Sequence, residues 1–377
     1  MMRRAAWVAA WCVAAGACGG VRPRDAAPPA PGGPVPPAAW DALCPASGAT
    51  APFPIRVGDG AVKFEPSAAA VWDGRLAVFG DKQAHAWWWT PGTTDVTQDP
   101  AWAFTLVGTP APDQCCSAAP GDWGSALKRQ KARETCEAHH IAIGARVPWL
   151  KLEGAASTPA GVHVVGNMGF GCSDNARVLR LPAPGAAPVP LAGVDRDLAL
   201  STLAAADLRV EGLALGDGGK VGLLAVREKD DALSQSVIVV DGLGGPASAR
   251  RVVQLLPPAG SRLRTVPMGL SDATVLPDGR VAFTLSQETD LDGVRVVSGE
   301  LWVSAQPRPW AAPGQAWDTA LITVFADHKP EAVVMLSAHC AAVLFDDDEG
   351  YKAQQRRRTP DPAWDPASAF AAYVRVQ

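Results

Sequence analysis

The chain has little tyrosine, two residues against fourteen tryptophans, and no excess of either charge: 34 Lys and Arg stand against 38 Asp and Glu. The resulting net charge of −4 excludes nucleic-acid binding through bulk charge. No GxSxG element occurs, and Gly269-Leu270-Ser271-Asp272 lacks the strand–turn–helix context of a hydrolase elbow. P-loop, dinucleotide and zinc-protease motifs are absent as well. Nor is there an apolar run long enough to span a bilayer comfortably, which takes roughly 20 residues. Glycine (37) and proline (34) are abundant instead, which favours many turns over long helices. With 48% hydrophobic residues in 377, the chain can bury a large core.

The longest apolar stretch, AAWVAAWCVAAGA, follows Arg3 and Arg4, the order of a basic and an apolar region in a targeting segment. It ends in AGAC, Ala15 to Cys18, which resembles the bacterial lipobox, with Ala15 where that pattern prefers Leu. The resemblance implies a signal over 1–17 and a lipid on Cys18; an ordinary cleaved secretory signal is the other reading. Residues 18–40 read as a Pro/Gly/Ala-rich tether ahead of a folded part at 41–377. Both readings place the protein outside the cytoplasm, as an outer-membrane lipoprotein, a periplasmic protein or a secreted one. Its only membrane contact would then be a lipid anchor.

Cysteine use agrees with an oxidising compartment. Beyond the signal stand Cys44, Cys115, Cys116, Cys136, Cys172 and Cys340, enough for three disulfides among 15 connectivities. Cys115, Cys116 and Cys136 lie close to His139 and His140, but neither CC nor CxxHH is a standard zinc spacing.

A repeat organises the rest. KFEPSAAAVWDGRLAVFGDK begins at Lys63, KLEGAASTPAGVHVVGN at Lys151, RVEGLALGDGGKVGLLAVREKD at Arg209, LSDATVLPDGRVAFTLSQETD at Leu270 and KPEAVVMLSAHCAAVLFDDDEG at Lys329. Each copy runs from a charged pair through an apolar strand, a turn, a second apolar strand and a polar cluster. Aligned in this way, the acidic positions are Glu65, Glu153, Glu211, Asp272 and Glu331, at separations of 88, 58, 61 and 59 residues. More strand-like sequence follows each hairpin, such as RVLRL, SVIVVD and GELWVS. Units of three to four antiparallel strands every 60 residues or so predict an all-β chain folded as a β-propeller. Five or six blades both fit. The Cys-rich residues 101–148 are either an insertion between the first two repeats or a divergent blade. A terminal strand, FPIRV or AAYVRV, is expected to close the ring.

If each repeat opens an innermost strand, Lys63 and Glu65, Lys151 and Glu153, Arg209 and Glu211, and Lys329 and Glu331 recur around a central channel. Neutralised by its basic neighbour, each glutamate reads as a brace between blades. The antiparallel second strand returns its polar cluster to the same mouth, which is therefore polar and locally acidic. Carboxylates there suit Ca²⁺, and Asp272, Glu228, Glu288 and Asp346 are the candidate ligands. His163, alternating with apolar residues, reads as a strand-face residue; His328 is the candidate acid/base histidine.

EGLAL at 211–215 with LLAVREKDD, and KPEAVV at 329–334 with VLFDDDEG, resemble the phytase-like and esterase-like β-propeller families. They also resemble a bacterial propeller family of unknown function with a recurring EGLA element. The resemblance covers roughly residues 60 to 350. It implies either a binding or scaffold propeller with a small-molecule or protein ligand, or a Ca²⁺-dependent phosphoester, ester or lactone hydrolase.

Overall fold

The computed structural model describes residues 38–58, 64–72, 74–80, 85–103, 150–168, 177–183, 186, 189–191, 209–227, 235–243, 249–291, 294–312, 314, 316–346 and 368–376. Twenty strands make up these residues apart from turns and four short 3-10 segments. The fold is a β-propeller. A short strand β1 (Phe53–Val57) precedes the first blade, which contains β2 (Pro66–Trp72), β3 (Arg75–Gly80), β4 (His85–Trp89) and β5 (Asp95–Ala103). The second contains β6 (Leu150–Thr158), β7 (Gly161–Met168), β8 (Arg177–Leu181) and β9 (Val189–Pro190). The third contains β10 (Arg209–Gly216), β11 (Val221–Arg227), β12 (Gln235–Asp241) and β13 (Ala249–Leu256). The fourth contains β14 (Gly269–Val275), β15 (Val281–Leu291), β16 (Val294–Ser304) and β17 (Ala316–Ala326). The last contains β18 (Pro330–Met335), β19 (Cys340–Phe345) and β20 (Ser368–Arg375), and takes β1 as its fourth strand.

Each blade starts at its innermost strand, and among the described residues these pack in the closed cycle β2, β6, β10, β14, β18 and back to β2. Inner strands are sandwiched between two neighbours, so both faces are apolar: PSAAAVW in β2 and VGLLAVR in β11 are buried almost throughout. Small residues prevail where the strands converge. A Cβ on Gly154 would lie 2.3 Å from the Leu213 backbone nitrogen, and one on Gly212 would lie 2.5 Å from Asp272 Cα. Outer strands meet solvent on one side, and β17 shows it in the alternation of AWDTALITVFA. Two pairs of blades join at the rim, where β1 runs parallel to β5 and β13 parallel to β17.

The apolar core lies between blades. Leu223, Val237, Phe283, Trp302 and Trp317 fill the seam between the third and fourth. Ile55, Trp87, Trp89, Leu344 and Tyr373 fill the one between the last and first. Polar clamps fix the seams. Gln235, fully buried, accepts from Leu270 N–H at 2.8 Å and donates to Met268 C=O at 2.5 Å. Glu300, also fully buried, accepts from Ser261 O–H (2.8 Å), Arg262 N–H (2.7 Å) and the Trp302 indole N–H (2.7 Å).

The N-terminal segment closes the ring. Both expected closing segments lie in one blade, FPIRV as β1 and AAYVR of AAYVRV at the end of β20, with Phe53 opposite Ala371. Of the six candidate cysteines, Cys44 and Cys340 form a disulfide across 296 residues. Around it, Arg375 pairs with Asp41 at 3.1 Å, and Thr50 N–H donates to Tyr373 C=O at 2.9 Å. Cys18, Cys115, Cys116, Cys136 and Cys172 lie outside the described residues, as does the 101–148 segment beyond Ala103. Among the described residues no helix is long and apolar enough to cross a membrane.

Candidate functional site at the channel mouth

The opening of each inner strand carries a β-bulge. The register shifts between Pro66 and Ala68, Leu152 and Gly154, Val210 and Gly212, Leu270 and Asp272, and Pro330 and Ala332. A bulge sets two residues opposite one and re-aims the extra side chain. The residues so displaced are Ser67, Glu153, Glu211, Ser271 and Glu331. This corrects the sequence alignment of the repeats: Glu65 lies two residues ahead of the bulged position and Asp272 one residue beyond it. The layer after the bulge reads Ala68, Gly154, Gly212, Asp272 and Ala332, four small residues and one carboxylate.

Arg227, at the end of β11, gathers the bulge layer. Its guanidinium lies 3.4 Å from Glu211 Oε2 and 3.5 Å from Glu331 Oε1, and donates to the hydroxyls of Ser271 (2.7 Å) and Ser286 (2.9 Å). Three successive blades thus meet on one side chain. Its stem lies against Gly269, where a Cβ would stand 2.7 Å from Arg227 Cγ. Burial works against the charge, but Glu211, Glu331 and Glu153 outweigh it and hold the guanidinium more firmly charged than usual. Lys329 does the same in the last blade, with Nζ 2.9 Å from Glu331 Oε1 and 3.5 Å from Asp346 Oδ2. There too burial opposes the ammonium charge, and the two carboxylates more than compensate. Glu65, Glu153, Glu211 and Glu331 are all buried.

Asp272 is fully buried. Its Oδ2 accepts from Val333 N–H of the next blade at 2.9 Å. Burial pushes its pKa well above the usual carboxylate range. The N–H groups of Val333, Ala273 and Leu213 pull the other way, and the Glu331 charge adds to the rise. Oδ1 has no hydrogen bond of good geometry.

Of the four carboxylates read as cation ligands, Asp272 and Asp346 are therefore placed, the first buried between inner strands and the second beside Lys329. Glu228 lies outside the described residues, and only the backbone of Glu288 is described. The same holds for the ring's basic members: Lys63 lies outside, while Lys151 and Arg209 are described as strand backbone only. Among the described residues no group of three His, Cys, Asp or Glu is placed to hold a metal ion. His163 lies buried on β7, and burial, then Arg180, lowers its pKa to about 4. His328 sits between the rings of Phe345 and Phe370, each 5.2 Å away.

Arg227 appears in the sequence only as part of the REKDD cluster. Its place at the centre of the bulge layer depends on the bend that each bulge puts into its strand. The one local hint is Gly269, opposite the arginine stem.

No family model and no curated protein sequence matches the chain. Among solved structures it is similar to a putative exo-beta-1,3-galactanase from Bifidobacterium bifidum S17, with TM-score 0.45 and 11% identity over 88% of this chain and 93% of that one. It is also similar to luciferin-regenerating enzyme, with TM-score 0.41 and 10% identity over 86% and 95% of the two chains. A third is the calcium-binding protein regucalcin from Agrobacterium tumefaciens, with TM-score 0.35 and 9% identity over 82% and 76%. These likenesses concern the fold and carry nothing about chemistry.

Proposed function

We propose that the protein is an extracytoplasmic binding or scaffold propeller, lipid-anchored through Cys18 or released after signal cleavage. Its acidic mouth takes a cation or a small-molecule or protein partner. The observation that supports this reading is the engagement of Glu211 and Glu331 by Arg227, and of Glu331 by Lys329. Carboxylates already held by side-chain cations serve as braces, so recognition falls to the polar residues that end the second strands.

One observation favours a second reading, a Ca²⁺-dependent phosphoester, ester or lactone hydrolase: the fully buried Oδ1 of Asp272, which has no hydrogen bond of good geometry. There Asp272, Glu228, Glu288 and Asp346 would hold an ion that activates water.

Thermal unfolding of the protein with Ca²⁺ and then with EDTA separates the two. Ligand at 100 times its dissociation constant stabilises by ~2.7 kcal/mol, enough to move the midpoint visibly. The binding reading expects phosphoester hydrolysis to be absent and any calcium shift to survive Asp272→Asn with Asp346→Asn. A calcium shift and a hydrolytic activity that both vanish in that double variant would establish the hydrolase instead.

A further inference from the structure

The seam between the second and third blades carries basic groups that the channel mouth does not use. His163 on β7 lies directly across from Arg180 on β8, so the two side chains share a face of the second blade. That face also carries Val165 and Val178, which pack against Val210, Leu224, Ile238 and Val240 of the third blade. His163 is 7% exposed, and its Nδ1 is buried without a hydrogen-bond partner; so is Arg180 Nε.

A guanidinium and an imidazole paired across strands, each with a buried nitrogen unsatisfied, are costly unless something of opposite charge completes them. Among the described residues, the charged group that acts on His163 is Arg180 on its own sheet. The apolar third-blade residues of the same cluster, from β10, β11 and β12, are Val210, Leu213, Leu224, Val226, Ile238 and Val240, with Leu215 and Leu243 packed against it. Arg180 is half-buried, so the pair can be reached from solvent. We propose that His163 and Arg180 form a binding site for a small oxyanion of the phosphate class. Such an ion is the natural complement: it accepts from a fork of guanidinium N–H groups and from a protonated imidazole at once. Binding favours the imidazolium, so affinity rises as the pH falls.

The test is an NMR titration of the His163 ring in the whole protein, with inorganic phosphate as probe and chloride at matched ionic strength as control. In chloride the His163 midpoint should stay lowered, at about 4. With phosphate its midpoint should rise by about one unit or more, meaning at least tenfold tighter binding to the protonated form. Arg180→Met should abolish the rise. A midpoint unmoved by phosphate in the unaltered protein overturns the proposal, whether or not the variant folds. So does a rise that persists in a folded Arg180→Met protein.

Discussion

Removing the Cys44–Cys340 bond, as Cys44→Ser with Cys340→Ala, should lower stability mainly by releasing the unfolded chain. The bond closes a loop of 296 residues. Loop-closure entropy then gives a ceiling of about 5.7 kcal/mol at 25 °C. Native contacts around the bond survive its loss, since Asp41 remains paired to Arg375 and Thr50 to Tyr373. Strand β1 therefore stays docked in the last blade. Unfolding entropy of about 2.1 cal/mol/K per residue over roughly 340 residues amounts to about 0.7 kcal/mol/K, so the ceiling corresponds to a fall of about 8 °C. Disulfides typically contribute about 2–4 kcal/mol, less than this ceiling, which puts the expected fall at about 3 to 6 °C. Fourteen tryptophans make intrinsic fluorescence a convenient probe. Denaturant unfolding should also show a larger m-value, because the uncrosslinked chain exposes more surface. A midpoint within about 1 °C of the parent with an unchanged m-value would refute the reasoning. It would mean that the segment ahead of β1 is no part of the cooperative unit.

Two further expectations follow from buried positions. His163 has its folded pKa lowered to about 4 against 6.5 for the free side chain, so the unfolded chain binds the extra proton between those values. In phosphate-free buffer, stability should be full above about pH 6.5 and fall by about 3 kcal/mol as the pH drops towards 4. His163→Leu should flatten that part of the pH–stability curve, and an equal slope in both proteins would count against a neutral buried imidazole. Gly154→Ala should cost about 3 kcal/mol, because its Cβ meets the Leu213 and Gly212 backbone rather than a movable side chain. Gly58→Ala, with nothing within 4 Å, is the control and should stay within about 0.5 kcal/mol; similar losses in both would remove the case for close packing around the axis.

How far the sequence alone carried depends on the range of the forces involved. Strand positions and hairpins were legible because alternation and turn chemistry are local. RVLRL coincides with β8, and the turns WDGR, PAG, GDGGK, LPDGR and LSAH each join a first to a second strand. The propeller itself was legible because a lone four-stranded sheet cannot bury both faces and a ring of them can. The return of the second strand to the same mouth was also legible, and Asp346 N–H indeed meets Lys329 C=O at 3.1 Å.

The register was not legible. A β-bulge adds one residue without changing the hydrophobic pattern, so Glu65 and Asp272 align with the other acids in sequence yet leave Ser67 and Ser271 at the bulge. Which cysteine pairs with Cys44, which strand completes the last blade and which cation sits among Glu211, Ser271 and Glu331 are facts about contacts between distant parts of the chain, 44 positions apart for Arg227 and Ser271, 104 for Arg227 and Glu331 and 296 for the two cysteines. They are decided by how blades pack around the axis, and only the closed ring brings those groups together.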